Sequence, residues 1–215
     1  MTHAIPEMTA HTIGAIGTCI DAMLQQRVPT FTITYLEKKR ISDPAALISQ
    51  CIHGATDPHF HAVSQYQIGT TVYAHKTVLA IEFDYLENNI QLSYVNLKAQ
   101  QIVRSITDAA MHQQQKLLAI HDWITTHIRY DETLRRRTAF DALDTQSTVC
   151  SGYASLYWHM CHAVGIPCRI VTGTGKFEAH AWNMVQLDRY WYHVDSTWST
   201  VADTNAPFSR YRFTC

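Results

Sequence analysis

Thr148-Val149-Cys150-Ser151-Gly152-Tyr153-Ala154 is a stretch in which a loop enters a helix. From there Cys150, Ala154, Tyr157, Cys161 and Val164 recur at spacings of four, three, four and three, one inward stripe of an α-helix. Cys150 therefore stands at the first turn of that helix, on its inner face. Helix N-termini carry roughly half a positive charge and unsatisfied N–H groups, which favour a thiolate and can donate to a developing oxyanion. Gly165-Ile166-Pro167 stops the helix, and Cys168-Arg169-Ile170-Val171-Thr172 reads as a strand running to a turn at Gly173-Thr174-Gly175.

Downstream, Ala179 to Leu187 and Tyr190 to Asp195 read as two strands joined by a short turn at Asp188-Arg189. An even loop puts residue 187 opposite 190 and 182 opposite 195. His180 and Asp195 then lie on one face as diagonal cross-strand neighbours, within hydrogen-bond reach. A shift of one residue would separate them to opposite faces, so the register decides the assignment. One helix start supplies a thiol, and one hairpin face supplies an imidazole and a carboxylate. Those are the nucleophile, base and orienter of acyl transfer, assigned to Cys150, His180 and Asp195.

Four motifs together carry a family resemblance. They are Val149-Cys150-Ser151-Gly152-Tyr153-Ala154, Gly165-Ile166-Pro167, His180-Ala181-Trp182-Asn183, and Trp191-Tyr192-His193-Val194-Asp195-Ser196-Thr197-Trp198. In that order they resemble the bacterial transglutaminase-like superfamily, a papain-related group, over roughly residues 115 to 200. Upstream, Ala55-Thr56-Asp57-Pro58-His59-Phe60 and His121-Asp122-Trp123-Ile124 to Tyr130-Asp131 resemble what precedes the core in such proteins. The resemblance implies the same three site residues and an oxyanion donor ahead of the cysteine. Gln146, Tyr130 and Trp123 are the candidates for that donor. Family members usually continue well past the Asp-Ser-Thr-Trp motif, which leaves the sheet edge after Asp195 open.

The fold class is α+β: a papain-like, transglutaminase-like core over residues 91–215, in which the Cys150 helix packs on an antiparallel sheet. An α+β lobe occupies residues 1–90. In the lobe, residues 8 to 26 read as a helix, Pro29 to Tyr35 as a strand, and Asp43-Pro44 as the start of a second helix. Segments 60–68, 70–74 and 77–85 read as antiparallel strands. Leu92 to His127 is helical, with a break between Asp108 and Met111.

Composition bounds the partners. Of 215 residues, 47 % are apolar and 16 % charged, and 17 Lys+Arg face 18 Asp+Glu. This balance suggests neither nucleic acid nor an anionic membrane as partner. The runs Lys38-Lys39-Arg40 and Arg135-Arg136-Arg137 read as solvated turns. No stretch approaches the ~20 apolar residues of a membrane span. Met1-Thr2-His3-Ala4-Ile5-Pro6-Glu7 lacks the pattern of a signal peptide, which reads as cytoplasmic, or as secreted or cell-surface if the N-terminus has been trimmed.

The six cysteines form no CxxC pair, and the histidine pairs His159/His162 and His59/His61 lack a third partner at ligand spacing. No metal or other cofactor is expected. Cys161 reads as core, about 16 Å along the helix from Cys150 at ~1.5 Å per residue. His193 falls on the face of His180 and Asp195 as a packed or solvent-reaching residue, and Trp182 and Trp198 are placed to pack there and shield the imidazole.

The expected reaction is acyl transfer at an amide of a protein or peptide substrate through a thioester. A cysteine peptidase or amidase comes first, then a cross-linking transglutaminase or deamidase, and third a non-catalytic peptide-binding module on the same fold. Oligomeric state is not legible.

Overall fold

A computed structural model describes residues 4–36, 41–53, 60–175 and 178–201, with the side chains of Phe60 and residues 199–201 not described. The run at 38–40 and the segment at 55–59 lie outside the described residues. The chain divides into two compact units, Met1–Leu86 and Glu87–Cys215.

In the first unit, β1 (Glu7–Ala10), α1 (Ile13–Gln25), β2 (Thr30–Tyr35), α2 (Pro44–His53), a 3-10 turn (Phe60–Ala62), β3 (Val63–Val72) and β4 (Thr77–Tyr85) follow one another. The sheet order is β1-β2-β4-β3, with β1 parallel to β2 and the other pairs antiparallel. Strand alternation buries Phe31 and Ile33 of β2 and Leu79, Ile81 and Phe83 of β4 against Ile16, Ile20 and Leu24 of α1.

Three expectations need correction here. The helix expected from residue 8 begins only at Ile13, because Thr12 caps it through its hydroxyl to the Ala15 N–H, 3.1 Å. The residues ahead of Thr12 pair with β2 instead. Segments 60–68 and 70–74 are one strand, since Gly69 stays in the ladder opposite Ala80. His61 lies in the 3-10 turn and not in a strand.

The second unit runs α3 (Asn89–Ile106), α4 (Gln113–His127), β5 (Arg129–Tyr130), α5 (Ala139–Thr145), β6 (Ser147–Thr148), α6 (Cys150–Ala163), β7 (Cys168–Gly175), β8 (Glu178–Leu187), β9 (Tyr190–Val194) and α7 (Ser196–Val201). Helix α6 is central and buried on most of its circumference, wider than the expected stripe, because α3, α4 and α5 pack around it as well as the sheet. Tyr153 and Tyr157 are fully buried there, and their hydroxyls donate to the carbonyls of Ile128 (2.8 Å) and Leu117 (3.3 Å). Ala154 packs on Ile170 of β7 and Ala181 of β8, which sets the first turn of α6 against the sheet.

Strands β7, β8 and β9 form an antiparallel sheet in that order, with Leu187 opposite Tyr190 and Asn183 opposite Val194. The even hairpin loop holds. The expected turn at Gly173-Thr174-Gly175 is strand instead. A Cβ at Gly173 would stand 2.8 Å from the Trp182 ring, and one at Gly175 would stand 2.6 Å from the Trp198 ring. Those glycines serve close packing of two indoles, not a bend.

Candidate active site

Cys150 is the first residue of α6, and a backbone network fixes where that helix begins. Asp131 accepts hydrogen bonds from the Thr133 hydroxyl (2.7 Å) and from the N–H groups of Arg135 (3.0 Å) and Arg136 (2.9 Å). These bonds, with the Arg136 N–H first among them, lower its carboxyl to about 2. The loop folded in this way offers its carbonyls to the helix start. Arg136 accepts from the Val149 N–H (2.9 Å) and the Thr148 hydroxyl (3.1 Å), and Arg137 accepts from the Ser151 hydroxyl (2.8 Å). The arginine run is thus more than a solvated turn: its side chains are exposed, while its backbone straps down the turn that carries Cys150.

His180 and Asp195 meet as the register requires. His180 Nε2 lies 2.7 Å from Asp195 Oδ2, with the two side chains 9 % and 20 % exposed, so solvent reaches the pair only partly. The other carboxylate oxygen, Oδ1, accepts from the N–H groups of Thr197 (3.0 Å) and Trp198 (3.1 Å). Asp195 therefore caps α7, the helix that follows β9 and packs on α4, α6 and β5. Asp-Ser-Thr-Trp carries that signal in its N-cap residue type.

The Cys150 thiol and the His180 imidazole lie close enough for each to shift the other's proton affinity. Burial is the largest single influence on this thiol and acts to raise it. The His180 side chain and its charge, with the N–H groups of Ala181 and Ser151, outweigh burial and hold the thiol below the ordinary cysteine value. Burial acts to lower His180, but its interactions with Asp195 and Cys150 carry it up to about 9. Together the two shifts favour the thiolate–imidazolium pair over the neutral thiol and imidazole.

The flanking aromatics lie as expected, against the imidazole. The His180 ring is nearly parallel to Trp198 (centroids 4.4 Å, 7°) and to Trp182 (5.8 Å, 18°). Trp182 Nε1 donates to His193 Nδ1 at 2.7 Å, so His193 is a packed partner of the indole. Of the three oxyanion candidates, Tyr130 lies on a strand paired just ahead of Cys150. It stands opposite Thr148 in the β5–β6 pairing, and burial followed by the Cys150 charge pushes its hydroxyl up. Trp123 stacks on His127 (4.4 Å, 9°), and Gln146 is exposed at the left-handed residue ending α5.

Sequence reading did not single out Asn183. It is buried and donates from Nδ2 to the carbonyls of Ala154 (3.0 Å) and Arg169 (3.3 Å), pinning α6 to the sheet. Its place three residues after His180 was the available signal. Among the other thiols, Cys161 lies against Cys168, and burial pushes it well above the ordinary value. His159 Nδ1 pairs with Asn96 Oδ1 at 2.9 Å, and His162 stacks on Trp158. Among the described residues no group of three or more His, Cys, Asp or Glu is arranged to hold a metal, and no helix is long and apolar enough to cross a membrane.

Residues 100–196 match the transglutaminase-like superfamily. Kyphoscoliosis peptidase of Mus musculus is 34 % identical over 151 residues, covering 61 % of this chain and 22 % of the mouse protein. The Homo sapiens protein of that name is 36 % identical over 145 residues, covering 57 % and 22 %. The chain thus spans about a fifth of the length of these relatives, and their source gives no support to a bacterial restriction. Among solved structures, a TGase shares 13 % identity at a TM-score of 0.46, over 89 % of this chain and 59 % of that one. A candidate cysteine protease from Cytophaga hutchinsonii shares 17 % at 0.43, over 63 % and 65 %. Within the second unit, residues 100–196 are thus similar to the transglutaminase-like superfamily.

Proposed function

We propose that the protein is a thiol acyl-transfer enzyme that cleaves amide bonds of proteins or peptides through a thioester on Cys150. The observation that carries this is a single imidazole held 2.7 Å from a carboxylate at Nε2 and electrostatically coupled to the Cys150 thiol. With Nε2 committed to Asp195, Nδ1 is the nitrogen left to exchange a proton with the thiol. Asp195 fixes the tautomer and supports the imidazolium.

In the first step the thiolate attacks the amide carbonyl carbon and the carbonyl becomes an oxyanion. N–H groups at the start of α6 and the Tyr130 hydroxyl serve as its donors; a raised hydroxyl keeps its proton and can donate it in a hydrogen bond. The oxyanion collapses, the C–N bond breaks, and the imidazolium hands its proton to the leaving nitrogen. That leaves a thioester and a neutral imidazole. Water then attacks the thioester, giving its proton to His180, and the acid departs as the thiolate returns.

Water is the acceptor in this reading, in keeping with the peptidase named among the relatives. Mass spectrometry after incubation with a peptide library and a primary amine tests it. Shortened peptides are expected. Amine addition identifies a cross-linker, loss of ammonia without cleavage identifies a deamidase, and unchanged peptides throughout count against catalysis.

A further inference from the structure

A cleft of about 330 Å³ opens beside His180 and Asp195, walled by Trp182, Trp198, His193 and Thr174. Cys150 is not among the residues lining it. The cleft thus adjoins the imidazole on the side of the carboxylate rather than that of the thiol. We propose that it receives one large apolar side chain, aromatic or aliphatic, on the leaving-group side of the cleaved amide. This rests on the acyl-transfer reading.

The placement follows from proton transfer. The leaving nitrogen must come within hydrogen-bond reach of His180 to take its proton. The acyl half of the substrate lies toward Cys150 and Tyr130, where the thioester and the oxyanion form. The leaving nitrogen takes its proton from Nδ1 on the thiol side, and the side chain of the residue attached to it reaches across the imidazole into this cleft.

The chemistry of the walls names the class of ligand. Its surface is mostly apolar, and two indoles are among its walls. The one polar atom of Trp182 is already bonded to His193 Nδ1 at 2.7 Å, which also takes up that imidazole nitrogen. Both Asp195 oxygens are engaged, Oδ2 by His180 and Oδ1 by the start of α7, which disfavours an ammonium as occupant. Such a pocket rewards apolar area, and its volume is at the small end for ligand sites, enough for one side chain.

The test uses N-acetyl-Xaa-Phe-amide and N-acetyl-Xaa-Gly-amide, with Xaa randomised, and compares kcat/KM. The Phe series is expected to be favoured by about tenfold or more. In Thr174→Trp, with folding confirmed by circular dichroism, the new indole fills the cleft and the ratio should fall to near unity. Calorimetric binding of the same peptides to Cys150→Ala protein reads the cleft without turnover. Tighter binding of the Phe series that is lost on adding Thr174→Trp, with neither series turned over by the wild type, upholds the apolar cleft and removes the acyl-transfer reading. Equal kcat/KM and equal binding for the two series overturns the proposal, as does a preference for Phe that Thr174→Trp leaves intact.

Discussion

Asp195 holds the His180 imidazole with one carboxylate oxygen, at 2.7 Å, while its other oxygen caps α7 through the N–H groups of Thr197 and Trp198. One carboxylate therefore ties the orientation of the imidazole to the start of the helix that brings Trp198 onto the same ring. The two jobs make opposite demands on a neutral amide. If Asn at 195 keeps its oxygen on α7, its NH2 must donate to Nε2, which forces the ring proton onto Nδ1. Nδ1 then cannot accept from the thiol. Asp195→Asn should lower kcat steeply, by up to about 10⁴-fold, with little loss of stability. Asp195→Ala should in addition lose the cap, about 1 kcal/mol in a denaturant titration. An Asn variant retaining wild-type kcat would remove Asp195 from the mechanism.

The thiol and the imidazole should titrate as a pair. Cys150 is held below the ordinary cysteine value and His180 is raised to about 9. Raising the pH through the Cys150 value creates the thiolate, and raising it further through about 9 removes the imidazolium that protonates the leaving group. kcat/KM should therefore form a plateau whose acid limb lies below an ordinary thiol and whose alkaline limb lies near 9. Limiting iodoacetamide at neutral pH should label Cys150 ahead of Cys168 and far ahead of Cys161, whose thiol burial pushes upward. Faster labelling of Cys161 in the folded protein would count against the ion pair.

Cys150→Ala should abolish turnover while leaving the fold nearly intact, and His180→Ala should be almost as severe. The double variant should be no slower than either single one, since residues acting as a unit are not additive. Tyr130→Phe tests the oxyanion donor separately. It should cut kcat by about 10²-fold with KM little changed, because the hydrogen bond strengthens only as charge develops on the oxygen. A rise in KM alone would assign Tyr130 to substrate binding.

Much of this site was legible because its elements report themselves locally. The Cys150 helix shows its period, Gly165-Ile166-Pro167 ends it, and Asp188-Arg189 sets a hairpin register that needs no tertiary information. What escaped notice depends on partners far along the chain or on patterns too short to stand out. Strands β5 and β6 have two residues each and exist only through pairing with one another. Gly173 and Gly175 read as a turn because nothing local announces that Trp182 and Trp198 will lie over them. Thr138 and Asp141 form a capping box that starts α5, a signal present in the sequence but unread.

The glycine packing has a measurable consequence. Gly175→Ala would place a methyl 2.6 Å from the Trp198 ring and 3.3 Å from His180 Cβ. The indole is the larger obstacle and must shift, carrying it off the imidazole. Overpacking of this kind costs about 1–3 kcal/mol, which chemical denaturation would read. Activity should fall further than stability predicts, because Trp198 and His180 move together. A variant with wild-type denaturation midpoint and kcat would show that Gly175 is not needed for close packing.

Asp131 offers a test of how the helix start is held. Its carboxyl is lowered to about 2, chiefly by the Arg136 N–H and with the Thr133 hydroxyl next, so the folded state binds the carboxylate form more strongly than the unfolded state does. The contribution is fully present above the ordinary carboxylate value near 4 and is lost as pH falls through about 2. Asp131→Asn should therefore be less stable than wild type at pH 7 by an amount that stays constant down to about pH 5. The gap should then narrow steadily toward pH 2. Because the loop carbonyls of Arg136 and Arg137 hold Val149 and Ser151, the same variant should slow alkylation of Cys150 at pH 7. Denaturation midpoints across this pH range, with site-resolved labelling at pH 7, make the measurement. A stability gap independent of pH would mean that the charge on Asp131 is not what holds the loop, and unchanged labelling would uncouple the loop from the thiol.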